Sequence, residues 1–122
     1  MAGLKLLTKL EPQMCLKLAW RTAQDAGYSV TRIEDTSKRF TATKGNVLFA
    51  ALAGALAPHC NFEITVEGYP DATEVMLVKN TPWLTTGVSG VAKVTRHADE
   101  LLQAIARAIE KAGGTILERK EF

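Results

Sequence analysis

Between Cys60 and Glu67 the chain reads CNFEITVE. Cys60, Phe62, Ile64 and Val66 fall on one side, and Asn61, Glu63, Thr65 and Glu67 on the other, without a break. A strand with this period keeps one face in a core and the other in water, as antiparallel sheets commonly do and doubly covered parallel sheets do not. Gly68, Tyr69, Pro70 and Asp71 follow as turn formers, and Thr73–Lys79 supplies the return strand with Val75, Met76, Leu77 and Val78. The rest of the chain must therefore cover the dry side of an antiparallel hairpin.

Two segments have the helical period that such a cover needs. Glu11 and Pro12 open the first, since proline suits the first turn and an acidic side chain suits the positive end of the helix dipole. Cys15, Leu18, Ala19, Thr22 and Ala26 form its inward stripe, Lys17, Arg21 and Gln24 or Asp25 its wet side, and Gly27 its stop. The second runs from Thr95 or Arg96 to Ala112, with Ala98, Leu101, Leu102, Ile105, Ile109 and Ala112 on one face and Arg96, Glu100, Gln103, Arg107 and Glu110 on the other. Gly113 and Gly114 end it.

Three further strands are expected. Leu4, Leu6 and Leu10 alternate with Lys5 and Lys9, as in a half-buried edge strand protected by lysine. Tyr28–Glu34 and Arg39–Thr43 form a hairpin around Asp35–Lys38, with Phe40 and Ala42 pointing inward. The element order is then β-α-β-β-β-β-α: a single α+β domain over residues 1–114, with one antiparallel sheet of four or five strands and two helices on one face. Residues 115–122 are highly charged and are expected to form a flexible tail. In element order the chain is similar to TATA-box-binding-protein-like domains. That likeness implies an open sheet face where nucleic acid would lie. A helix-grip fold, in which a curved sheet wraps a long C-terminal helix around a cavity, is the alternative.

Size and charge fit one such domain. The 122 residues are 47% hydrophobic and 23% charged, far from the composition of disordered chains. A net charge of +2 is spread along the sequence rather than gathered into a phosphate-binding block, and Glu63 and Glu67 fall on the outward positions of the clearest strand. Nucleic-acid binding is thus not favoured. Cys15 and Cys60 are too few for a disulfide framework and read as small buried hydrophobes in a reducing compartment. Without a secretory apolar run or a transmembrane segment, a cytoplasmic protein is expected.

The most unusual stretch is NVLFAALAGALAP, from Asn46 to Pro58, which carries no charge. As a helix it would be about 18 Å long, too short to cross a bilayer. Phe49, Leu52 and Leu56 would form its ridge, either within the core or as a contact for a second copy or an apolar small molecule. A second candidate is the Thr81–Val94 loop, where Trp83 beside Pro82 is a ligand-facing or core-covering aromatic. Its glycines Gly87 and Gly90 precede a helix N-terminus able to hold an anion, although the spacing matches no phosphate-binding motif.

Catalytic signals are thin. His59 and Cys60 are adjacent, so on a strand they face opposite ways. His97 and Asp99 are two apart on a helix and share no face, and Asp99 reads as a cap or dipole partner. No metal-ligand spacing and no cofactor motif is present, so neither a catalytic residue, a metal nor a cofactor is expected. The residues read most directly as a non-catalytic binding or assembly module using 46–58, with homodimerisation or an apolar ligand as its partner chemistry and Phe49, Leu52, Leu56 and Trp83 as its contacts. An enzyme using a histidine near the 83–97 loop, or nucleic-acid binding on the open sheet face, are the alternatives.

Overall fold

A computed structural model of the protein describes residues 3–32, 38–44, 60–79 and 83–121, with 83–93 as backbone. Its elements are β1 (Gly3–Thr8), α1 (Pro12–Asp25), β2 (Ser29–Arg32), β3 (Arg39–Lys44), β4 (Cys60–Gly68), β5 (Thr73–Lys79), α2 (Trp83–Lys111) and β6 (Ile116–Glu121). The strands form one six-stranded sheet in the order β2-β3-β4-β5-β1-β6, every pair antiparallel. The α+β class with two helices on a single antiparallel sheet is thus as the sequence indicates, with more strands.

The alternation of β4 organises the interior. Cys60, Phe62, Ile64 and Val66 are buried, and the register sets Ile64 between Phe40 and Leu77, and Val66 beside Val75. Leu4, Leu6 and Thr8 of β1 continue this inner surface. Over it lie Cys15, Ala19 and Ala23 of α1 and Val94, Ala98, Leu101, Leu102, Ile105, Ala106 and Ile109 of α2, forming one cluster with the strands. Small residues on α1 let that helix sit close to the sheet, and the bulky positions of α2 fill the remaining depth. Ala26 and Ala112 are exposed, because each stands at the C-cap of its helix, where the chain has already begun to turn away.

Both helices end in the same way. Gly27 and Gly113 each adopt a φ of +93°, which side-chain-bearing residues rarely adopt. Tyr28 N–H donates to Ala23 O and Gly27 N–H to Gln24 O, and Gly114 and Gly113 repeat the pattern on Ile109 O and Glu110 O. These paired reverse bonds satisfy the last carbonyls of each helix.

Three expectations need correction. The C-terminal residues do not hang free: Ile116–Glu121 pairs with β1, and Arg119 binds Asp99 of α2 at 2.6 Å. Charge had masked this strand, because five of its six residues can remain exposed on the sheet's rim. With β6 present, β1 is an interior strand and not an edge, and Lys5 projects from the wet face toward Glu74 at 3.7 Å. Finally, the Trp83–Val94 stretch is not a loop but the first part of α2.

Removal of residues 116–122 should therefore uncover an edge of β1 and take away the partly buried Ile116. Burying an isoleucine fully is worth about 1.5–3 kcal/mol and Ile116 is only half-buried, so a loss below that range is expected in urea unfolding, with concentration-dependent aggregation. An unchanged midpoint would show that β6 is not part of the folded unit.

Candidate functional site

Outside the core, the fold presents three surfaces where side chains could act. The first is the outer sheet face. Its charges are matched locally: Arg39 binds Glu63 at 2.8 Å, Lys38 binds Glu67 at 3.4 Å, Lys5 lies near Glu74 at 3.7 Å and Lys120 near Glu118 at 3.4 Å. Such exposed pairs contribute at most about 1 kcal/mol each to stability. Their consequence for recognition is larger, because among the described residues each cation of this face has a carboxylate beside it that weakens its pull on a phosphate backbone.

The second surface is the corner where β2, β3 and α2 meet. Tyr28, Lys44, His97 and Glu100 line a small cleft of about 150 Å³ together with Ala26, Leu101 and Ala104. His97 and Glu100 are three apart on α2 and share a face, so the relevant neighbour of His97 is Glu100 and not Asp99, which sits mid-helix and holds Arg119. The enzyme alternative placed its histidine near a loop; His97 instead belongs to a helix that begins fourteen residues earlier.

Most groups at this corner have structural work. Lys44 Nζ donates to Ala26 O at 3.2 Å, neutralising the C-terminal end of α1, and lies 5.3 Å from the centre of the Tyr28 ring. Tyr28 packs on Phe62 at 5.8 Å between ring centres. Burial, reinforced by Cys60 and Glu100, pushes the Tyr28 hydroxyl far above its ordinary range. Cys60 is likewise raised by burial, an effect that the Lys44 ammonium partly offsets. In α1, burial and then Glu11 push the Cys15 thiol up to about 11. Both cysteines are free and buried, so neither is poised as a thiolate.

The third surface is a cleft of about 300 Å³ between α1 and the β2–β3 pair. Gln13, Leu16, Lys17 and Trp20 approach from α1 at helical spacing, and Arg32, Arg39 and Phe40 from the strands. Trp20 meets the buried Phe40 ring edge to face, 5.2 Å between centres. At Gln13 and Leu16 the cleft runs into a second one bordered by Pro12, Lys38 and Val66. Sequence reasoning missed this place. The repeat Gln13, Leu16, Lys17, Trp20 marks a second face of α1, but its partners lie on another hairpin and have no fixed sequence offset from it.

Of the residues expected to make contacts, Phe49, Leu52 and Leu56 lie outside the described residues, as does His59. Trp83 is the first residue of α2. The glycines expected to feed an anion to a helix N-terminus, Gly87 and Gly90, instead fall inside that helix, where backbone N–H groups are already committed. Among the described residues no helix is long and apolar enough to cross a membrane, and no group of three or more His, Cys, Asp or Glu side chains could hold a metal ion. No protein-family model matches the chain, and no curated protein matches it significantly in sequence.

Folding keeps Cys15, Tyr28 and Cys60 protonated. Their contribution to stability is therefore complete below the ordinary thiol value of 9.0 and is lost as pH rises beyond it. The urea midpoint is expected to hold steady from neutral pH to about 9 and to fall above it. A midpoint that rises over the same alkaline range would contradict the burial of these groups.

Proposed function

We propose that the protein is a non-catalytic binding or assembly module that works from the end of the sheet where β4 begins and β5 ends. Self-association is the favoured mode and capture of an apolar small molecule the second. The observation that carries this reading is the extension of α2. Its described inward positions begin at Val94, and Lys79, at the end of β5, reaches Thr95 Oγ1 at 3.4 Å. The eleven residues from Trp83 to Lys93 prolong the helix by about 16 Å beyond that point.

This extension is uncharged up to Lys93 and contains Gly87, Gly90, Thr85, Thr86 and Ser89, which favour helix weakly. Each glycine alone costs about 1 kcal/mol relative to alanine. A helix of such composition draws its stability from packing more than from its own backbone preference. Lys44, which precedes the uncharged 46–58 run in sequence, and Cys60, which follows it, are partners across the ladder at the same end. Phe49, Leu52, Leu56 and Trp83 remain the proposed contacts. A reducing, cytoplasmic setting agrees with the two free buried thiols.

Sedimentation velocity over a concentration series is expected to show a reversible dimer, weakened at least tenfold by Leu52→Asp or Leu84→Asp with the fold retained. A protein that stays monomeric yet binds an uncharged fluorescent dye, with loss of binding in Leu52→Asp, would favour the apolar-ligand mode. A monomer that binds no dye and unfolds on either substitution would place both segments in the protein's own core and remove the proposal.

A further inference from the structure

We infer that the cleft between α1 and the β2–β3 pair is a binding site for a small aromatic carboxylate. Its floor is aromatic and fixed: Phe40 is fully buried, and Trp20, still partly exposed, stands edge-on against it. A flat ring entering the cleft can therefore pack on an indole that is already held in place, which lowers the ordering cost of binding.

The rim is positively charged. Lys17 lines it from α1, and Arg32 lines it from β2, directly opposite Phe40 in the ladder. Neither makes an ion pair among the described residues, whereas Arg39, the third cation of the lining, is occupied by Glu63 on the outer face. Among the described residues no carboxylate lines the cleft itself, and Glu11 borders the adjoining one. Two cations beside an aromatic floor are complementary to one anionic group attached to one ring system, and a guanidinium can take a carboxylate through two parallel hydrogen bonds. A volume of about 300 Å³ is at the small end of ligand sites and suits a one- or two-ring molecule. The site lies on a different part of the domain from the α2 extension and does not depend on the proposed assembly.

The test uses 2-naphthoate, its neutral counterpart 2-naphthalenemethanol, and inorganic phosphate, with the two indole N–H signals in a proton–nitrogen NMR spectrum as the readout. Trp20→Phe assigns which signal belongs to the cleft. Saturable movement of the Trp20 signal by 2-naphthoate is expected, with at least tenfold weaker binding of the neutral alcohol and no comparable effect of phosphate. Arg32→Gln and Lys17→Gln are each expected to weaken 2-naphthoate several-fold while leaving the alcohol unchanged. Both positions are exposed, so the fold should survive, and an unchanged spectrum elsewhere checks that it does. Equal binding of acid and alcohol, competition by phosphate at equal strength, or movement confined to the Trp83 signal would each overturn the assignment.

Discussion

Removal of the inner face of β4 from water is the interaction on which the rest of this structure depends. Phe62, Ile64 and Val66 lie beneath both helices and at the centre of the strand order, with β3 on one side and β5 on the other. Full burial of such side chains contributes about 1.5–3 kcal/mol each, and no other strand presents as many in succession. The turn at Tyr69–Ala72, closed by hydrogen bonds in both directions, fixes the register of β5 and so the placement of Val75 and Leu77. Strand β1 adds Leu4 and Leu6 beside them, and the helices must then complete the enclosure.

That enclosure also determines where function can reside. Among the described residues the inner face is consumed by packing and the outer face is a grid of matched charges, which leaves the periphery for binding. Two such places are the helical extension at one end, uncharged from Trp83 to Ala92, and a cationic cleft with an aromatic floor along the side of α1. The corner with Tyr28, Lys44 and Cys60 looks reactive from its residue types, yet its hydroxyl and thiol are held protonated and its lysine serves the end of a helix.

Wherever a physical period ran uninterrupted, the sequence showed the fold plainly. Strict alternation located β4, the turn formers after it and the apolar run Val75–Val78 located β5, and Pro12 with Gly27 bracketed α1. Elements escaped notice where local preference and tertiary context disagree. Gly87 and Gly90 read as a loop because their backbone preference opposes helix, although α2 runs through them. Residues 115–122 read as a tail because an edge strand needs few apolar side chains once its neighbour supplies the ladder. Lys5 read as an edge marker, whereas its ammonium escapes to the wet face of an interior strand. The Trp20 cleft was not legible at all, since Arg32 and Phe40 reach Trp20 only through the pairing of β2 with β3.

One face of the sheet is core and the other is solvated, with β4 as the divide. Paired substitutions at neighbouring residues test it most directly: Ile64→Thr on the inner face and Thr65→Ile on the outer, compared by chemical denaturation. A loss of roughly 2 kcal/mol or more is expected for Ile64→Thr, which buries a hydroxyl among hydrocarbons, and a change within about 0.5 kcal/mol for Thr65→Ile. Equal losses at the two positions, or a larger one at Thr65, would contradict it.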